Sequence, residues 1–233
     1  NLQLEPSLSQ PNSTGVRPLA VVAREAVACA EHLHSHWGSE GLRLSSGKKV
    51  LGYATYTKTL EAHSAAEQAR HTLLITHVYL ADMRDYVPGF RAMEEQVKAW
   101  LNRQFKTEVE LFFAHALRQS PETLRSTGFG IHQDTEDYDF IEYTVVVKLT
   151  PDEPDELPSS MRVLAAKTDF EYGTSAGSAG CFLARLHHQS LPPRSHREHL
   201  KIAFFFRKSY RKAMREINMK DRPTPMPQRT RRV

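Results

Sequence analysis

The chain has 233 residues, 40% hydrophobic and 25% charged, with a net charge of +4. That length and balance suit one soluble domain with a sizeable core; its location is not read from the sequence, and an intracellular one is the expectation. No apolar run approaches the about 20 residues that cross a bilayer, and two distant cysteines, Cys29 and Cys181, exclude a disulfide scaffold and read as reduced, buried thiols.

Residues 1–17 are rich in Ser, Pro, Asn and Gln and read as a flexible segment. The glycosylation pattern Asn12-Ser13-Thr14 is read as chance, and because the sequence opens on Asn1, a targeting peptide before it would be invisible. Residues 18–106 read as a helical support region. Pro18 opens one helix, with Leu19, Val22, Ala26, Ala30, Leu33 and Trp37 on one face and Gly38 as its stop. A second starts near Pro88, with Phe90, Met93, Val97, Trp100 and Leu101 as its stripe. Both stripes read as core packing. His32 and His36 share a helix face, but no carboxylate or cysteine accompanies them, so they are not read as a metal site.

From 107 to 207 β-branched and aromatic residues cluster in short runs, predicting strands over 107–118, 127–133, 140–149, 160–166, 180–187 and 199–207. The loop Pro151 to Glu156 is too rich in proline and acid for a strand interior, and Gly173 to Gly180 reads as a turn. Helices followed by many short strands predict an α+β fold: a rolled β-sandwich or jelly roll backed by the N-terminal helices. Residues 208–233 read as a short helix over 208–218 and an extended, basic tail. From Arg207 onward there are ten Lys or Arg against two Asp or Glu, a local charge of +8, leaving −4 for the rest. Such a tail suits an acidic partner or phosphates, or is a solvated terminus.

The informative stretch is Gly128-Phe129-Gly130-Ile131-His132-Gln133-Asp134. Residues two apart on a strand share a face, so His132 and Asp134 project together. Two histidines and one carboxylate on one face of a metal leave the opposite positions open, the arrangement of non-haem Fe(II) oxygenases. A second histidine follows the apolar run Cys181 to Leu186, as His187 or His188. In the last strand, Lys201, Ala203, Phe205 and Arg207 alternate with Ile202, Phe204 and Phe206. The apolar face would pack against helices and the mixed face would line the barrel. A buried Lys201 needs an anion, because an unpaired buried charge is costly. Asp137, Asp139 and Glu142 read as entrance or solvated edge residues. One of Tyr143 and Thr144 faces inward.

His132-Gln133-Asp134, then His188 after a strand, then a cation opening the last strand, resembles the 2-oxoglutarate/Fe(II) dioxygenase superfamily over roughly residues 107–207. The resemblance implies a double-stranded β-helix and an Fe(II) site at His132, Asp134 and His188, with His187 as alternative. It also implies O2 as a reactant and 2-oxoglutarate as cosubstrate, its distal carboxylate held by Lys201, as in prolyl hydroxylases, or by Arg197. The Lys201…Arg207 spacing is similar to the AlkB branch and makes Arg207 a further cosubstrate contact, although that branch carries Arg where Lys201 stands, and no Asn-x-Tyr element precedes the His-x-Asp motif. The implied reaction hydroxylates or oxidatively demethylates an unidentified protein, nucleic acid or small molecule, releasing succinate and CO2. The competing readings are a non-catalytic β-sandwich module that binds nucleic acid or an acidic partner through its basic tail, and a cupin-like metal enzyme with no use for Lys201.

Overall fold

The computed structural model describes residues 15–38, 41–42, 53–59, 72–78, 80–119, 131–135, 139–164, 166–191 and 197–209. Antiparallel sheet dominates, with few helices. The central sheet has seven strands. Its middle is the last strand, β12 (His199–Lys208), flanked by β6 (Val109–Gln119) and β7 (Ile141–Lys148). Beyond β7 come β10 (Ser178–Leu183) and, at the edge, β1 (Arg17–Ala20); beyond β6 come β5 (Thr72–Val78) and β4 (Tyr53–Thr59). A second sheet has β8 (Ser160–Val163) between β11 (His188–Leu191) and β9 (Phe170–Glu171), and β2 (Trp37–Gly38) pairs with β3 (Gly41–Leu42).

Three helices complete the described residues: α1 (Ala23–His36), α2 (Leu80–Tyr86) and α3 (Phe90–Phe105). Along α3, Phe90, Met93, Val97 and Leu101 are buried at three- and four-residue steps. The helix begins after Gly89 at φ 75 and ends at Lys106 at φ 50, both left-handed, which is where a helix stops propagating. A Cβ on Gly89 would collide with the backbone of Glu25 on α1, so only glycine lets the two helices meet there.

Alternation along β12 divides two apolar clusters. Ile202, Phe204 and Phe206 join Ala26, Cys29 and Leu33 of α1 and the buried face of α3, with the Phe90 and Phe204 rings 5.3 Å apart. Ala203 and Phe205 face the other way, with Val146 and Phe182 of the large sheet and Met161, Val163 and Phe170 of the small one. The interior between the sheets therefore opens onto the side of β12 that also carries Lys201.

Several expectations are corrected. The first helix starts at Ala23, not Pro18, because Arg17–Ala20 pairs antiparallel with β10. Pro18 is compatible with that edge position, where a missing N–H costs little. Strands β4 and β5 lie within the stretch expected to be helical support. The strand expected over 180–187 ends at Leu183, and after a turn His188 opens a separate strand in the second sheet. Of the strand expected over 127–133, residues 127–130 lie outside the described residues. His132 forms a lone antiparallel bridge with His188. Of the helix and tail expected over 208–233, Lys208 still belongs to β12, and residues 210–233, like the first 14 residues, lie outside the described residues.

Candidate metal centre

The bridge between His132 and His188 is reciprocal: His132 N donates to His188 O at 3.1 Å and His188 N to His132 O at 2.9 Å. Asp134 N donates to Ala184 O at 3.0 Å, fixing the carboxylate beside the two rings. His132 Nε2 lies 3.5 Å from Asp134 Oδ1 and His188 Nε2 3.6 Å from Asp134 Oδ2. Donor atoms at such separations fit around one ion with bonds of about 2.0–2.2 Å. The donor set, two imidazoles and one carboxylate, is that of a facial metal triad.

The surrounding groups orient these donors. His188 Nδ1 is 2.8 Å from Leu186 O, so the proton sits on Nδ1 and the Nε2 lone pair faces Asp134. Burial, opposed by Asp134, lowers the His188 pKa and keeps the ring neutral. Thr144 Oγ1 donates to Asp134 Oδ2 at 2.6 Å. Burial resists ionisation of Asp134, but His132, His188 and Thr144 outweigh it and hold the carboxyl below its usual range. The Phe182 ring is 4.4 Å from that of His188. His187 is exposed, with Nδ1 3.2 Å from Gln133 Nε2, so the structure joins His188, not its neighbour, to the group. Thr144 is the inward member of its pair, whereas Tyr143 stacks on Phe105 at 4.5 Å.

Lys201 is 1% exposed and its Nζ has no hydrogen-bond partner among the described residues. It lies 5.3 Å over the Tyr172 ring, and the charge of Asp134 also acts on that tyrosine, so Tyr172 neighbours both Lys201 and Asp134. Across the strand pair, Lys201 faces Lys148. Lys148 is satisfied: its Nζ is 2.5 Å from Asp152 Oδ2 and donates to Gly173 O at 3.0 Å. Burial first and Lys148 second, against the pull of Asp152, bring Lys201 down to about 8.

Other predicted candidates lie elsewhere. Arg197 is exposed and pairs with Glu153. Arg207 pairs with Glu110 at 2.7 Å and leans on Phe112 and Phe140. Glu142 pairs with Lys208 at 3.1 Å, Asp139 is exposed, and Asp137 is outside the described residues. His32 and His36 stack on each other at 4.1 Å. Lys148, Asp152, Tyr172 and His199, which the sequence does not single out as site residues, lie around Lys201. The available signal was a lysine ending the apolar run Val145-Val146-Val147.

No protein-family model and no curated protein matches the sequence. Solved structures do. A prolyl-4-hydroxylase from Pseudomonas putida is 18% identical, with TM-score 0.53 over 85% of this chain and 95% of that one. An oxidoreductase of the 2OG-Fe(II) oxygenase family from Burkholderia pseudomallei is 12% identical, with TM-score 0.55 over 86% and 88%. A prolyl hydroxylase from Trichoplax adhaerens, in complex with a hypoxia inducible factor oxygen degradation domain peptide fragment, is 11% identical, with TM-score 0.58 over 88% and 89%. The chain shares their jelly-roll fold.

Proposed function

We propose that this chain is a non-haem, Fe(II)- and 2-oxoglutarate-dependent dioxygenase that hydroxylates or oxidatively demethylates a substrate not yet identified. His132, Asp134 and His188 would hold the iron. Two neutral imidazoles and one carboxylate leave a dication with residual positive charge, which suits an anionic cosubstrate. Bound there with 2-oxoglutarate and O2, iron would supply oxidative decarboxylation to succinate and CO2 coupled to C–H oxidation.

The observation that carries this reading is Lys201. A buried ammonium without a hydrogen-bond partner among the described residues, inside the barrel that holds the triad, calls for an anion. The distal carboxylate of 2-oxoglutarate is such an anion. Arg197 and Arg207 already have carboxylate partners at the surface, which supports Lys201 as the anchor. Thr144 and the Leu186 carbonyl hold Asp134 and His188 in ligating orientation, and Phe182 and Tyr172 exclude water around them.

The finer architecture in this reading is a double-stranded β-helix over roughly 107–207 backed by α1 and α3, supported by the cluster that joins Phe204 to both helices. The basic stretch from Arg207 onward would attract an acidic substrate or partner. The test is succinate release from 2-oxoglutarate with Fe(II) and O2, with candidate peptides, nucleic acids and metabolites as stimulants. No turnover in any arm, together with no cosubstrate binding, sinks the reading.

A further inference from the structure

His199 opens β12 two residues before Lys201, and both its ring nitrogens are buried without a hydrogen-bond partner among the described residues. Its Nδ1 lies 4.0 Å from Asp152 Oδ1 and its Nε2 lies 3.7 Å from Glu156 Oε2. All three side chains are nearly inaccessible, at 2%, 0% and 7% exposure for His199, Asp152 and Glu156. Each nitrogen therefore faces a carboxylate just beyond hydrogen-bond reach. A neutral ring can donate to one of them, whereas an imidazolium can donate to both.

The charges around the ring are Asp152 and Glu156 from the loop after β7, Lys148 from the end of β7, and Lys201 from β12. With His199 neutral, the two carboxylates balance the two ammonium groups. A carboxylate arriving at Lys201 leaves this interior one positive charge short. It also cancels the Lys201 charge, which otherwise opposes protonation of His199. The three donors also meet the spacing of a metal site, but Lys148 and Lys201 oppose a dication beside them.

Resting on the function proposed above, we propose that His199 is a positioning residue for the cosubstrate. It takes a proton from solvent when an anionic carboxylate docks at Lys201, and the resulting imidazolium locks Asp152 and Glu156 behind the anchor. Burial lowers the pKa of His199 in the free protein, so near neutral pH the ring starts neutral and has a proton to gain.

The experiment is calorimetric titration of 2-oxoglutarate into the full chain loaded with Mn(II), without O2, near pH 7 and in buffers of different ionisation enthalpy. The wild type should take up more than about half a proton per cosubstrate bound. In His199→Gln the uptake should fall to about a tenth of a proton, the share left to Lys201. Glu156→Gln, which keeps the ring but removes one negative charge, should also reduce uptake, because the arriving carboxylate then needs no added proton to balance it, and the fall of affinity with rising pH should flatten. It serves as the deciding variant if His199→Gln does not fold. Binding with no proton uptake, or with uptake unchanged in whichever variants fold, overturns the inference while leaving the dioxygenase reading intact. A second equivalent of Mn(II) or Zn(II) that is lost in His199→Gln overturns it too, because an ion there occupies the lone pair. Absence of any 2-oxoglutarate binding overturns the functional reading and this inference with it.

Discussion

Lys148 and Lys201 stand directly opposite each other on β7 and β12, yet Lys148 has an ion pair and a carbonyl acceptor while Lys201 has no hydrogen-bond partner among the described residues. The two lysines should therefore respond oppositely to the same substitution. Lys148→Met strands Asp152 in the interior and should cost about 3–5 kcal/mol, read as a marked fall in the thermal midpoint. Lys201→Met removes an unpaired charge, so the midpoint of the ligand-free protein should hold or rise. The same change removes a charge-assisted bond of about 1.5–3 kcal/mol, so KM for 2-oxoglutarate should rise roughly 10- to 150-fold with iron content unchanged. An undiminished 2-oxoglutarate response in Lys201→Met, with loss in Arg197→Ala, would move the anchor to Arg197.

The double variant His132→Ala, Asp134→Ala should keep the fold and lose iron, measured by elemental analysis after anaerobic loading. His188→Ala should do the same, whereas His187→Ala should retain metal, since only His188 reaches Asp134. Full iron content in the double variant would refute the triad.

Thr144→Val removes the hydroxyl that donates to Asp134 Oδ2. Outer partners of this kind typically change metal affinity 10- to 100-fold. The iron dissociation constant should rise within that range while the thermal midpoint of the metal-free protein changes little. Unchanged iron affinity would mean that the backbone alone positions Asp134.

The depressed pKa of Lys201 has two consequences of opposite sign. The folded chain releases this proton at about 8 and the unfolded chain at 10.5. Between those values the unfolded state holds more protons, so the contribution of Lys201 to stability rises with pH across that window. If Lys201 holds the cosubstrate as proposed, binding needs the ammonium, and 2-oxoglutarate affinity should fall as pH rises through about 8. Denaturant titrations and binding isotherms from neutral to alkaline pH, on wild type and Lys201→Met, should separate the two trends. Parallel pH profiles in both proteins would assign them to other groups.

Removing residues 223–233 should spare folding and the conversion of 2-oxoglutarate without substrate. If the substrate is nucleic acid, the cut should weaken its binding, with an affinity that falls steeply with added salt. Identical binding by both forms across a salt series would leave the tail without a role in recognition.

Part of the site was legible in the sequence: two-residue spacing groups His132 with Asp134, although His132 makes only a lone bridge and Asp134 lies in a turn, so strand alternation is not what positions them. The split of β12 into an apolar face and a mixed face holds from Lys201 through Phe206. It breaks at Arg207, where the register against β7 skips Glu142 and the side chain leaves the interior. A bulge of this kind depends on the partner strand, not on local sequence. The acidic loop from Pro151 reads locally as solvated, but Asp152 is buried because Lys148 and His199, distant in the chain, meet it there. The sequence extends the first helix back to Pro18 because Leu19 continues the spacing of α1. Pairing with β10, which no local pattern reveals, outweighed that.

The reciprocal bond between the backbones of His132 and His188 makes the cage proposed for the metal part of the fold itself. The freedom of the two histidines is then lost during folding, not when an ion arrives. A cage assembled in advance accepts whichever suitable ion reaches it first, and two imidazoles with a carboxylate favour Co(II), Ni(II), Cu(II) and Zn(II) over Fe(II) on intrinsic affinity. Which metal the protein carries in a cell would thus be decided by supply, and mismetallation by zinc would silence it without unfolding it.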